Sequence, residues 1–175
     1  MKKNTQAGFT LVELMVVVGI IGILIALVAP NLTSFTAKAK QSAAKVELAG
    51  LYTAEKSFQA EYNTYHGYLD YIGHIPDGCA SSAGVPAKAC MAGSKRNYAV
   101  GFASAGIVAA VTGAAVSGTP IIQYDNTVGT ALTVSGNATT TQNTFVARAV
   151  GSIAKGNDVW TMTESKILTN DSKGF

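Results

Sequence analysis

Charge is scarce in this sequence: only 13% of its 175 residues are Asp, Glu, Lys or Arg, and the formal net charge is +3. So thin a balance argues against nucleic-acid binding by phosphate neutralisation, which needs a concentrated basic face. Histidine is limited to His66 and His74, eight residues apart with Asp70 and Asp77 nearby, and that is no metal-ligand spacing. With so few histidines no nucleophile–base constellation can be assembled, and the Gly113–Gly118 segment lacks the Lys-Ser/Thr of a phosphate-cradling loop. Catalysis, a cofactor and a bound metal are therefore not expected. Cysteine occurs twice, at Cys79 and Cys90. The length allows one anchor and one domain, not two packed cores.

What is abundant is apolar length. Between Lys3 and Lys38 the only formal charge is Glu13. The 22 residues from Gly8 to Ala29 would form a helix of about 33 Å, close to the ~30 Å hydrocarbon core of a bilayer. Lys2 and Lys3 precede it, and the positive-inside bias keeps the start of the chain in the cytoplasm and sends the rest outward. A secretory signal peptide has a shorter apolar region, and Ala29-Pro30-Asn31 is a poor cleavage site. A plain anchor fits the length but leaves Glu13 unexplained, because a carboxylate in a spanning helix is costly and usually has a partner.

The segment from Met1 to Gly8, followed by Phe9-Thr10-Leu11-Val12-Glu13-Leu14, resembles the type IV prepilin signature: a short basic leader ending in Gly, then Phe, with Glu four residues on. The resemblance implies cleavage between Gly8 and Phe9 by a membrane prepilin peptidase, which also methylates the new amino terminus of Phe9. Removing Lys2 and Lys3 would take the formal charge from +3 to +1. The amine created at Phe9, with a reference pKa of ~7.7–8.0, and the Glu13 carboxylate are groups that two subunits could pair in a low-dielectric filament core. The family implies this pairing, and Glu13 is expected to set axial register during assembly. Gly19, Gly22 and Pro30 weaken a helix. They mark a segment able to bend or unwind, which in this family loosens as the subunit leaves the bilayer.

Beyond Pro30, Ala44, Leu48, Leu51, Phe58 and Tyr62 recur at helical spacing and predict an amphipathic helix to about Tyr62, ended near Asn63 or Gly67. Glu55 falls inside this stripe without an evident place. Tyr62, Tyr65, Tyr68 and Tyr71, with His66 and His74, read as rings covering the helix end. Cys79 and Cys90 lie in a Gly/Ala/Ser/Pro-rich loop outside the cytoplasm and are expected to form a disulfide. Better-known pilins often carry theirs nearer the C terminus, so their C-terminal loop architecture is not transferred. Asn97–Phe102, Ile107–Val111, Thr144–Ile153 and Asp158–Glu164 read as strands, the last two joined at Lys155-Gly156-Asn157. Val128–Gln142 reads as an exposed excursion with a short strand near Ala131–Val134, and Asn137-Ala138-Thr139 matches a glycosylation acceptor pattern. Asp158, Asn170 and Asp171 are a sparse candidate cation set.

The expected fold is α+β: a leader (1–8), a transmembrane and filament-core helix (9–30), its amphipathic continuation (31–62), and a head (63–175) of three to five antiparallel strands packed on that helix. The resemblance implies a major type IV pilin, inserted in the inner membrane as a single-pass precursor and then polymerised into an extracellular filament for adhesion, twitching motility or DNA uptake. Its partners would be other pilin subunits, the prepilin peptidase and methylase, the inner-membrane assembly platform and motor proteins, and membrane lipid before assembly. Nucleic acid ranks far below these. A minor pilin or type II secretion pseudopilin is the nearest alternative, and a non-polymerising membrane-tethered binding module is the alternative of another class.

Overall fold

The computed structural model describes residues 8–76, 79, 87–89, 96–103, 123–125, 134, 136, 138–153 and 156–174. Among these lie one helix, α1 (Leu11–Tyr62), and six strands: β1 (Ala87–Ala89), β2 (Tyr98–Gly101), β3 (Gln123–Asp125), β4 (Val146–Ile153), β5 (Gly156–Thr163) and β6 (Leu168–Ser172). The chain divides into two compact units, Met1–Thr36 and Ala37–Phe175.

In the first unit, the Leu11–Val28 stretch of α1 has a mean hydropathy of 3.0 and none of it is buried. By length and composition it can cross a membrane. The helix begins with a capping box. The Thr10 hydroxyl accepts from the Glu13 backbone N–H at 3.3 Å, while Glu13 Oε2 accepts from the Thr10 N–H at 2.8 Å and from its hydroxyl at 2.7 Å. The Thr-x-x-Glu spacing puts the third helical residue back over the cap, so donors that have no carbonyl one turn earlier are satisfied locally.

In the second unit, Ala37, Gln41, Ala44, Leu48, Leu51, Glu55 and Phe58 are buried at alternating spacings of four and three, which is the core-facing stripe of α1. Tyr62, expected on that stripe, sits at its margin and is 39% exposed, stacked on Phe58 with ring centroids 4.6 Å apart. Asn63 ends the helix in the left-handed region (φ 56°), its N–H donating to the Gln59 carbonyl at 2.8 Å. Asparagine tolerates that conformation better than most residues.

The sheet has the order β1-β3-β2-β4-β5-β6. Every neighbouring pair is antiparallel except β1 with β3, which is parallel. Five strands, β3-β2-β4-β5-β6, are joined antiparallel, as expected, and β1 adds a sixth in parallel at the edge. β1 even falls within the loop between the cysteines. In the β4–β5 hairpin Ile153 pairs with Gly156, so Gly156 and Asn157 belong to the strand and not to the turn. On one face Tyr98, Val100, Phe102, Ala147, Ala149 and Met162 join Leu48, Leu51 and Phe58 of α1 in the main core, with Trp160 against it. The described part of the 128–142 segment is exposed at Gly136, Thr139, Thr141 and Gln142 but anchored by Val134, Ala138 and Thr140, which are buried, and Val134 and Ala138 pack with Ala99 on the other face of β2. Ile107–Val111, Ala131 and Asn137 lie outside the described residues.

Candidate functional site

Gly8, Phe9 and Thr10 precede the helix without regular structure. Phe9 is 87% exposed, and an added Cβ at Gly8 would meet nothing within 4 Å. The Gly8–Phe9 peptide bond therefore lies in backbone without regular structure, two residues ahead of the first helical turn. Glu13 sits in that first turn. The sequence leads one to expect its carboxylate at the Phe9 amine of a neighbour; in the structure it is the return arm of the capping box with Thr10. Thr10 was missed, although its Thr-x-x-Glu signal was in plain view.

Gly19 and Gly22 have open space where a side chain would project. Nothing in the packing of the described residues demands glycine there. Helical structure is continuous through Pro30.

The head is tied together at Asp158. This carboxylate is fully buried on β5 and accepts from Gln41 Nε2 of α1 (2.8 Å), the Tyr98 hydroxyl of β2 (2.6 Å) and Trp160 Nε1 (2.6 Å). Asn170 Nδ2 of β6 (3.1 Å) and the Gly174 backbone N–H (3.4 Å) complete the set. Burial alone would raise its pKa, but the hydrogen bonds from Tyr98, Asn170, Gln41 and Trp160 outweigh it and hold the carboxylate below its ordinary value. The same geometry dismantles the candidate cation set. Asp171 points elsewhere, pairing with Arg148 at 3.2 Å and accepting from the Thr161 and Thr169 hydroxyls. No group of three or more His, Cys, Asp or Glu suited to a metal ion occurs among the described residues.

Tyr62, His66, Tyr68 and Tyr71 gather around Phe58 at the helix end, whereas His74 lies over Gly50, about three turns earlier. The His66 ring lies 4.6 Å from Tyr71 and 5.5 Å from Phe58, and its Nδ1 accepts from the Tyr68 N–H, so that nitrogen carries no proton. Burial lowers the pKa of His66, and burial together with the Arg96 charge lowers that of His74 to about 4. Both are neutral packing residues at pH 7. Cys79 is disulfide-bonded, whereas Cys90 lies outside the described residues. Arg96 approaches the Cys79 sulfur at 3.8 Å and pairs with Glu47 of α1 at 2.8 Å, linking this loop to the helix.

An exposed apolar helix behind an open Gly-Phe bond, continued into a helix packed on a mainly antiparallel sheet, defines a pilin-like α+β protein. The comparison with known proteins carries this to a family signal: residues 3–29 match the prokaryotic N-terminal methylation motif, and the chain is similar to type IV pilins. It is 53% identical over 70 residues to the type IV major pilin protein PilA of Myxococcus xanthus, covering 40% of this chain and 32% of that protein. Over 78 residues it is 41% identical to the type IV major pilin protein PilE1 of Neisseria gonorrhoeae (45% and 34%). Over 65 residues it is 43% identical to the type II secretion system core protein G of Aeromonas hydrophila (37% and 46%). The chain thus spans about a third to a half of the length of these curated relatives.

Proposed function

We propose that this chain is the shaft-forming major subunit of a type IV pilus. The observation that carries the reading is the Gly8–Phe9/Glu13 signal at the head of an apolar helix that is unburied from Leu11 to Val28. A helix in that state needs either lipid or other copies of itself around it. In the proposed sequence of events the helix holds the precursor in the inner membrane, and the leader is removed after Gly8. Phe9 is then methylated, and the subunit passes into a filament in which its amine meets the Glu13 of a neighbour. Gly19, Gly22 and Pro30 ease the helix through that transfer, and the Cys79–Cys90 disulfide closes the loop beside Arg96. Energy for assembly comes from cytoplasmic motor proteins acting through the assembly platform. The role is structural, with no reaction assigned.

A type II secretion pseudopilin is the second reading, favoured by the similarity to core protein G. Intact-mass analysis of filaments sheared from the producing cell separates the readings. An abundant species lacking Met1–Gly8, one methyl group heavier and with both cysteines oxidised supports the shaft subunit. The same species in trace amount indicates a minor pilin or pseudopilin. A membrane-retained chain with its leader attached overturns both.

A further inference from the structure

Composition gave no sign of a basic face, but the fold gathers one. Lys38, Lys45 and Lys56 of α1 are seven and eleven residues apart, close to two and three turns, so they form a line rising roughly 10 Å and then 16 Å along the helix. Lys45 Nζ stands 4.5 Å over the Trp160 ring, and Lys56 Nζ contacts the Tyr65 hydroxyl and lies 5.7 Å from the Tyr52 ring. A fourth ammonium joins from the β5–β6 turn, where Lys166 Nζ is also 5.7 Å from Tyr52. Lys166 occupies the left-handed region (φ 61°), where glycine or asparagine would be less strained. The acidic residues of this part of α1 are off the line. Glu47 pairs with Arg96 and Glu55 is buried, while Glu61 lies more than a third of a turn away; Glu164 is the carboxylate felt by Lys56.

We propose that this flank docks an acidic polysaccharide through its carboxylate groups. The aromatic rings hold the ammonium groups in place before binding, which lowers the ordering cost of meeting a chain of anions. Their ring faces are occupied by those ammoniums, so they offer no platform for stacking nucleobases, on which single-stranded nucleic-acid binding depends. The row consists of lysines alone, because both arginines of the chain are engaged elsewhere, Arg96 with Glu47 and Arg148 with Asp171. A line of more than 25 Å, estimated from the helical rise, suits an extended polymer better than one lipid headgroup. The inference concerns the single subunit, so its failure would leave the filament reading standing.

The test measures binding of the detergent-solubilised full chain to a fluorescent polyuronate oligosaccharide, with neutral dextran, an oligothymidylate of equal charge and phosphatidylglycerol vesicles as competitors. Saturable polyuronate binding that weakens with added salt is expected, with Lys45→Gln and Lys166→Gly each weakening it by up to about fivefold. Lys166→Gly also relieves the positive φ, so loss of binding in that variant cannot be ascribed to unfolding. Absence of saturable binding, unchanged binding in both variants, or tighter binding of oligothymidylate or vesicles would overturn the proposal.

Discussion

Replacing Glu55 by glutamine should stabilise the head, and by an amount that depends on pH. Glu55 is fully buried in the core stripe of α1; its Oε2 accepts from the His66 N–H at 3.2 Å, and Oε1 has no hydrogen-bond partner among the described residues. Burial pushes its pKa from 4.5 up to about 8, against a smaller opposing effect of the His66 N–H. The folded chain thus keeps a proton that the unfolded chain releases. Stability contributed by the neutral acid is complete below about pH 4.5, declines as the pH rises and levels off beyond about 8. At pH 7, roughly 2.5 pH units above the unfolded value and still below the folded one, the accrued loss is about 3 kcal/mol. That is a large share of the 5–15 kcal/mol typical of a domain. Glutamine retains an oxygen for the His66 N–H and cannot ionise. Urea unfolding of the detergent-solubilised chain, followed by the fluorescence of Trp160, its only tryptophan, should show wild type and Glu55→Gln nearly equal at pH 4. By pH 7 they should differ by about 3 kcal/mol in the variant's favour. Parallel stability curves across this range would refute the argument, since Glu55 would then have to be ionised in the native head.

Asp158→Ala should destabilise the head by about 3–5 kcal/mol in the same assay, because it strands buried donors of Gln41, Tyr98, Trp160 and Asn170. Its lowered pKa means that the Asp158 contribution is present above about pH 4 and is lost as the pH falls through the still lower native value. Gly151→Ala should cost about 1–3 kcal/mol, since a Cβ there would lie 2.6 Å from both the Asn97 carbonyl oxygen and the Tyr98 ring. Thr10→Ala and Glu13→Ala both break the capping box, at about 1 kcal/mol of helix stability. Only Glu13→Ala should abolish filament yield while leader removal continues, as read by immunoblot of sheared and membrane fractions; equal yields from both variants would reduce Glu13 to a cap.

What was legible in the sequence follows from how each signal is written. The apolar run and the stripe through Ala44, Leu48, Leu51 and Phe58 repeat over many turns, so periodicity alone places them, and β4 and β5 are eight residues long with usable alternation. β1 and β3 have three residues each, too few to carry a period, and they exist through pairing with partners distant in sequence. Gln41 and Asp158 illustrate the same limit at the level of side chains. Their hydrogen bond joins positions 117 residues apart, and Gln41 sits on the buried stripe because of that bond and not because it is apolar. Glu55 was placed correctly on the stripe and still resisted explanation, since local spacing cannot reveal that a carboxyl will be held neutral. Thr10 was different, being a short-range pattern overshadowed by the stronger motif around it.

The arrangement at Asp158 also has a consequence for the timing of folding. Its hydrogen-bond donors come from α1, β2, β5, β6 and Gly174, and those from Asn170 and Gly174 emerge during synthesis long after Gln41. A chain not yet extended past β5 holds α1 and most of the sheet yet leaves this acid short of donors, in a place where water must stay to compensate. Completion of the head is thereby linked to arrival of the distal strand. The head becomes rigid only after Asn170 and Gly174 have docked at an acid shared with a glutamine laid down more than a hundred positions earlier.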